Sequence, residues 1–138
     1  MASTPVIKHT WTQSIKNDSG AAVMADPPLI ILGDSEANAG IQVPANTTIE
    51  IDITVAFANI VSFFFTLDQG GTVNTNASDG TGGNTFTLVA GVSKSWNNTI
   101  TGVTNPITIN ITKIFVHNSS STKTANFKAG ILTKDATT

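Results

Sequence analysis

The segment from Thr47 to Leu67 constrains the fold more than any other part of the chain. In its first half, every second residue is Ile, Val or Phe, and most of the residues between them are polar. A period of two with β-branched residues on one side is typical of a strand that buries one face. The charged residues Glu50 and Asp52 lie between the apolar ones, so we expect the opposite face to meet water. A second alternating run follows Ala58-Asn59, and its apolar face carries Val61, Phe63, Phe65 and Leu67.

These two runs predict a β-hairpin, and the rest of the chain repeats the pattern. About eight to ten short runs are separated by clusters of Gly, Asn, Asp, Ser and Pro, and none has the period of an amphipathic helix. Such a sequence is typical of an all-β protein, a β-sandwich or barrel, and about eight strands favour a jelly roll. We therefore predict one jelly-roll domain over residues 1–138, with a short flexible N-terminal arm (1–5) and a C-terminal tail (134–138).

Local patterns add further predictions. The segment GDSEANAG, residues 33–40, has the composition of a loop, and the segment from Ile41 to Pro44 is expected to be an edge strand that proline ends. In the strand expected from Ile107 to His117, the apolar residues switch from odd to even positions near Thr112-Lys113. Either a β-bulge turns the strand there, or its second half is covered on both sides.

Composition excludes several classes of partner. The formal net charge is -2, and the seven basic residues are all lysine. Without arginine the chain lacks the forked side chain that most often contacts phosphate and guanine, so we expect no nucleic-acid binding. No apolar run approaches the roughly 20 residues of a membrane helix, and the N-terminus lacks a signal-peptide pattern. We therefore expect no membrane partner, and synthesis in a cytoplasm.

Candidate catalytic and metal-binding residues are few. The chain has two histidines and no cysteine, too few for a transition-metal site of cupin type. Glu50 and Asp52 share the solvent face of one strand, where paired acids are usually a solvated surface, and no G-x-S-x-G motif occurs. Asp68 and Asp79-Gly80 lie in glycine-rich loops that can offer oxygen ligands to calcium, although no EF-hand spacing is present. We predict no catalytic residue, no metal site and no cofactor, and calcium binding by a loop stays open.

Apolar side chains outside the expected core indicate a contact surface. Ile60 and Phe64 fall on the face opposite Phe63, and only 12% of the residues are charged, which suits a protein interface. Either a neighbouring copy covers Phe64, or a segment of the same chain such as Pro27 to Leu32 does so. Trp96 is a candidate of another kind, because an exposed Trp can stack against a ligand such as a sugar ring.

Three segments in the second half of the chain resemble a known group of proteins. They are Val73-Asn74-Thr75-Asn76, then Phe86 to Gly91 (FTLVAG) with Trp96 after it, and Ile111 to Ser119 (ITKIFVHNS). Over roughly residues 72–132 this pattern resembles the small β-sandwich proteins of tailed-bacteriophage structural modules. These are capsid decoration (cement) proteins and tail-associated jelly rolls, and their shared motifs are structural.

The resemblance implies a virion protein that is not an enzyme. It implies a capsid decoration protein that forms a homotrimer, binds the major capsid protein or another virion protein, and stabilises the phage head. Such a protein would be made in the host cytoplasm and reside in the virion. The alternative is a carbohydrate-binding β-sandwich module associated with a tail or fibre.

The N-terminal arm from Ala2 to Trp11 is the first candidate for protein contacts. Ile7, His9 and Trp11 share one face of an expected strand. An extended strand can add to the edge of a neighbour's sheet through main-chain hydrogen bonds. We therefore predict that the protein interface uses Ile7, His9, Trp11, Ile60 and Phe64.

Overall fold

The structure is a computed structural model that describes residues 7–11, 14–16, 22–25, 29–33, 35–99 and 102–134. The regular elements among the described residues are strands and one short 3-10 helix, Phe57–Asn59, which separates the sixth strand from the seventh. The strands are β1 (Ile7–Trp11), β2 (Ser14–Lys16), β3 (Ala22–Ala25), β4 (Leu29–Gly33), β5 (Ser35–Val43), β6 (Thr48–Val55), β7 (Ile60–Leu67), β8 (Gly71–Thr75), β9 (Thr85–Leu88), β10 (Lys94–Asn97), β11 (Ile111–Asn118) and β12 (Ala125–Thr133).

Strands β5 to β12 form two four-stranded antiparallel sheets. One sheet has the order β10-β7-β12-β5, and the other has the order β6-β11-β8-β9. The pairing is nested, because β5 pairs with β12, β6 with β11, β7 with β10 and β8 with β9. A long hairpin rolled into a sandwich gives this order, which is that of a jelly roll. The prediction of an all-β jelly-roll sandwich of eight strands is confirmed. The predicted β-hairpin of the two central runs is wrong, because β6 and β7 belong to different sheets and pair with β11 and with β10 and β12 instead.

The core lies between the two sheets and follows the alternation of the sequence. Phe63, Phe65 and Leu67 of β7 are fully buried, as their shared face predicts. The ring centroid of Phe65 lies 5.2 Å from that of Phe63, 5.5 Å from that of Phe86 and 6.3 Å from that of Phe127. Because Phe86 belongs to the opposite sheet, this aromatic cluster joins the two layers.

The N-terminal strands form two nested antiparallel ladders, with β1 paired to β4 and β2 paired to β3. Cα atoms of β4 come within 8 Å of β7 and of β12. At the end of β4, a Cβ on Gly33 would lie only 2.6 Å from Cγ of Leu132. Leu132 is fully buried but lies outside the main core cluster, so the end of β4 covers the outer face of the β10-β7-β12-β5 sheet.

The two ends of the chain were predicted as an arm and a tail. Residues 1–5 and 135–138 lie outside the described residues. Lys134 is described, and its backbone N–H donates to the carbonyl oxygen of Asn59 at 2.9 Å. The last described residue is therefore held at the start of β7.

The prediction of a loop over residues 33–40 is wrong. Gly33 ends β4 and residues 35–40 belong to β5, which pairs with β12 along its whole length from Ser35 to Val43. The prediction used the small and polar residues of this segment, but strand formation depends on the partner strand more than on intrinsic preference. The edge strand expected from Ile41 is confirmed in position, since β5 ends its sheet, but it is longer than expected.

The strand predicted from Ile107 begins only at Ile111, and the predicted switch of the buried face is present within it. The register between β11 and β6 shifts between Ile111 and Lys113. Thr112 and Lys113 are both exposed, and the buried face resumes at Ile114. Of the two explanations that the sequence left open, the structure shows the local irregularity, which re-aims the rest of the strand toward the core.

Candidate interaction surfaces

Trp96 is a core residue. Its side chain is 8% exposed and belongs to the hydrophobic cluster between the sheets. Its indole N–H donates to the carbonyl oxygen of Val103 at 3.1 Å, so this buried donor has a hydrogen-bond partner. The prediction that Trp96 stacks against a ligand required an exposed ring, so that prediction is wrong.

Ile60 lies in the core as well, with 5% of its surface exposed. The register between β7 and β12 shifts at this end, because Leu132 faces Ser62 while Thr133 faces Ile60. One extra residue, Val61, is accommodated on β7 and remains only half-buried. The shift turns Ile60 from the outer face to the core face, so the expectation that it lies on the outer face is wrong.

Phe64 is half-buried, and its ring lies over Gly130 of the neighbouring strand. A Cβ on Gly130 would lie 3.0 Å from Cζ of Phe64 and 2.8 Å from Oε1 of Glu36. The glycine therefore leaves the space that these two side chains occupy. Whether Phe64 also contacts another protein stays a prediction.

Ile7, His9 and Trp11 lie on β1, where the sequence placed a strand. In the structure β1 pairs with β4 of the same chain, so one of its edges is already occupied. Only the other edge can add to a neighbour's sheet. The contact role of the three residues stays a prediction.

Asn76 joins three segments near the register shift of β11. Its Nδ2 donates to the carbonyl oxygens of Gly82 at 3.0 Å and of Asn110 at 2.9 Å. Its Oδ1 accepts from the backbone N–H of Thr112 at 2.9 Å. The backbone φ of Asn76 is 69°, in the left-handed region that asparagine adopts more readily than most residues. The side chain thus satisfies a backbone donor at the point where the ladder is irregular.

Asn118 has a comparable role at the other end of β11. It is fully buried, and its Nδ2 lies 3.0 Å from the carbonyl oxygen of Val43 and 2.7 Å from that of Lys123. Its Oδ1 accepts from the backbone N–H of Ser120 at 2.9 Å. The side chain therefore ties the end of β5 to the turn between β11 and β12.

The outer face of the β10-β7-β12-β5 sheet carries a groove beside Asp68. Asp68 accepts from the backbone N–H of Asn126 at 2.8 Å and from its Nδ2 at 2.9 Å. These hydrogen bonds hold the pKa of Asp68 below its usual value. A cavity of about 450 Å³ opens beside this pair, and a second of about 330 Å³ adjoins it through the shared residues Asn126 and Lys128.

The charged groups of the other sheet pair with one another. Lys113 of β11 contacts Glu50 of β6 and lies 4.0 Å from Asp52. The hydrogen bond and the charge of Glu50 raise the pKa of Lys113. Glu50 and Asp52 are thus on a solvated outer face, where an exposed ion pair contributes little to stability.

The side of the sandwich formed by β5 and β6 is open, and the sequence analysis missed it. Both are edge strands of their sheets. The hydrophobic residues that pack against the core while staying partly exposed all lie on these two strands, within the described chain. We call them the β5–β6 seam: Ala37, Ala39, Ile41, Ile49 and Ile51. The alternation of apolar and polar residues in the sequence indicates which side chains face the core. It does not indicate which strands lie at the edges of the sheets.

The opposite side, formed by β9 and β10, is closed. Phe86 and Leu88 of β9 are buried, and the connection between β10 and β11 packs over this side through Ile107, which is fully buried. The same connection is fastened by Asn84, whose Nδ2 donates to Oγ1 of Thr108 at 3.0 Å. The two sides of the sandwich therefore differ in how completely they cover the core.

Two further findings concern cofactors and membranes. Among the described residues, no three His, Asp or Glu side chains come together in a group that could hold a metal ion. The part of the chain that the structure describes also has no helix long and apolar enough to cross a membrane. The carboxylate of Asp68 accepts a hydrogen bond from the backbone N–H of Asn126, and the carboxylate of Asp79 accepts one from the backbone N–H of Thr81.

No family model, curated protein or solved structure matches the chain. The functional interpretation therefore starts from the fold, the surfaces above and the resemblance of the strand motifs.

Proposed function

We propose that this chain is a non-enzymatic structural protein of a bacteriophage virion. In this proposal it is a capsid decoration protein that self-associates as a homotrimer and stabilises the phage head. It attaches to the major capsid protein or to another virion protein. Its site of action is the virion, after synthesis in the host cytoplasm.

One observation carries the proposal: the residues of the phage-like motifs are those that brace the jelly roll. Asn76 satisfies the backbone at the register shift of β11, and Trp96 fills the core beside β7. Asn118 ties β5 to the turn before β12. Because these residues stabilise the sandwich, the motif describes how the fold is held together. The resemblance to the phage proteins is therefore a resemblance of fold, over about half of the chain.

The surface chemistry supports a protein partner. Only 12% of the residues are charged, and Glu50 and Lys113 neutralise each other on the outer face. Charged residues are depleted at the centres of protein interfaces, because a charge buried there loses its hydration. The burial of Trp96 also removes one of the two tryptophans that could stack against a sugar ring, which weighs against the alternative of a carbohydrate-binding module.

The direct test uses capsids of the phage that encodes the chain, purified without the protein. Purified protein is added, the capsids are sedimented, and the copies bound per capsid are counted by quantitative gel or mass spectrometry. We expect saturable binding and a higher melting temperature of the decorated capsid by calorimetry, because a ligand of the folded shell stabilises it. Capsids of an unrelated phage are the control. Absence of binding, or binding equal to that of the control capsids, would refute the decoration function.

A further inference from the structure

We propose that the paired strands β1 and β4 form a lid, which opens from the folded sandwich as a separate unit and uncovers Leu132. Leu132 lies near the end of β12, on the outer face of the β10-β7-β12-β5 sheet. The opening decides whether this apolar side chain is buried or available to a partner. It is a property of the chain itself and does not depend on a role in a virion.

Two side chains are fully buried on a face of the sheet that is exposed elsewhere. Leu132 of β12 and Ser62 of β7 are paired across the ladder, and neither has exposed surface. They follow and precede the core residues Ile131 and Phe63, so alternation places them on the outer face. Farther along the same face of β12, Lys128 is exposed. One end of the outer face is therefore covered, and the other is not.

Strand β4 supplies the cover. A Cβ on Gly33, the last residue of β4, would lie 2.6 Å from Cγ and 2.7 Å from Cδ1 of Leu132. Cα atoms of β4 also come within 8 Å of both β7 and β12. The backbone of Gly33 thus rests directly on the Leu132 side chain, and only a residue without a Cβ can approach it so closely.

Strand pairing gives the lid little support of its own. Among the described residues, β1 pairs with β4 alone, and neither strand joins one of the two four-stranded sheets. A ladder of two strands is marginally stable in water unless it packs on something else. Proteins open locally in cooperative units, and weakly supported units open at a lower free energy than the core. We therefore expect the lid to open while the sandwich stays folded.

The test uses introduced thiols, because the chain contains no cysteine. Leu132→Cys places a thiol beneath the lid, and Ile131→Cys places one in the core at the adjacent residue. Lys128→Cys, on the exposed part of the same strand, gives the rate of an uncovered thiol. The reaction of each full-length variant with Ellman's reagent is timed in native buffer and in low urea. Urea unfolding supplies the global unfolding free energy of each variant.

We expect Leu132→Cys to react at least about tenfold faster than Ile131→Cys, after each rate is corrected for the global stability of its variant. Local opening exposes little surface, so low urea should barely change the rate of Leu132→Cys. The rate of Ile131→Cys should rise with urea, because its thiol reacts only when the sandwich unfolds. If Leu132→Cys does not fold, Ser62→Cys takes its place, since serine and cysteine are similar in size.

A pair of glycine substitutions tests the contact between β4 and Leu132. Gly33→Ala places a methyl group against Leu132, whereas Gly40→Ala on β5 places one where no atom lies within 4 Å. Neither glycine has a φ in the left-handed region, so alanine strains the backbone at neither position. In the Leu132→Cys background, we expect Gly33→Ala to raise the reaction rate at least about fivefold and Gly40→Ala to leave it unchanged.

Three results would overturn the inference. Equal corrected rates for Leu132→Cys and Ile131→Cys would mean that the lid opens only when the sandwich unfolds. A rate for Leu132→Cys equal to that of Lys128→Cys would mean that nothing covers this position. Equal effects of the two glycine substitutions would mean that β4 is not the cover. None of these results involves a capsid, so the decoration function stands or fails separately.

Discussion

Asparagine side chains satisfy backbone groups where the strands of this sandwich end or lose register. Asn76 accepts from Thr112 at the irregular start of β11, and Asn118 donates to carbonyl oxygens beyond its other end. Asn105 accepts from the backbone N–H of Ile107 at 2.9 Å and so fixes the residue that enters the core. A buried backbone group without a partner costs about as much as a lost hydrogen bond. The Asn content of the chain therefore has a structural use in these places.

Asp68 gives a prediction about acid stability. Asn126 donates two hydrogen bonds to its carboxylate and lowers its pKa from the ordinary value of 3.8. Because the folded pKa is the lower one, the stabilisation is fully present above the unfolded pKa and is lost as the pH falls through the folded pKa. Asp68→Asn should therefore destabilise the protein most above about pH 4, and this difference should shrink as the pH falls below that value.

The measurement is the free energy of urea unfolding across that pH range. Asp52→Asn serves as the control, because Asp52 is 85% exposed and comes no closer than 4.0 Å to Lys113. We expect Asp52→Asn to cost less unfolding free energy than Asp68→Asn above about pH 4. An Asp68 variant that follows the wild-type pH profile at every pH would contradict the assigned role of the two hydrogen bonds.

At the scale of elements, the sequence predicts strands that alternate well and misses strands that do not. β6 and β7 follow from their periodicity, and the irregularity of β11 follows from the switch of apolar parity near Thr112. The first half of β5 is not predicted from the sequence, because Ala37, Asn38 and Ala39 have no strong preference for strands. Its conformation comes from pairing with β12, a strand far away in the sequence.

The site residues show the same limit. By strict alternation Ile60 would lie on the outer face of β7 together with Phe64, but the register shift beside Val61 places it in the core. Trp96 has no pattern that distinguishes a core from a surface position, and its burial depends on the connection that contributes Val103. The seam depends on which strands are edges, and that is a property of the assembled sheets.

The N-terminal strand gives the prediction at this scale. Deletion of residues 2–10 removes most of β1, which pairs with β4 and makes no ladder with β5 to β12. We expect the sandwich to keep a cooperative thermal transition while binding to capsids weakens, because Ile7 and His9 are removed. Capsid cosedimentation and calorimetry of the truncated protein check both parts. A deletion of residues 135–138 is the control at the other terminus, and unchanged capsid affinity of the N-terminal truncation would exclude the arm as a contact.

At the scale of the whole molecule, the nested pairing makes the first and last strands of the sandwich neighbours. β5 pairs with β12, and β12 in turn pairs with β7, so each sheet joins strands that are far apart in the chain. The phenylalanine cluster then connects the two sheets, since Phe65 of one contacts Phe86 of the other. A molecule built in this way has no half of its chain that buries a core alone, and we expect the sandwich to unfold as one unit.

Truncation of Phe65 tests this expectation. Phe65→Ala removes a fully buried ring that contacts three other rings, and such substitutions cost about 3–5 kcal/mol of unfolding free energy. Phe57→Ala is the matched control, because Phe57 is 40% exposed, and it should cost less than about 1 kcal/mol. Urea unfolding is followed by circular dichroism for both sheets and by tryptophan fluorescence in a Trp11→Phe background, so that the emission comes from Trp96 in the core. Coincident transitions are expected for wild type and both variants, because one cluster holds both layers together. Separate transitions, or equal costs for the two substitutions, would contradict a single core shared by the two sheets.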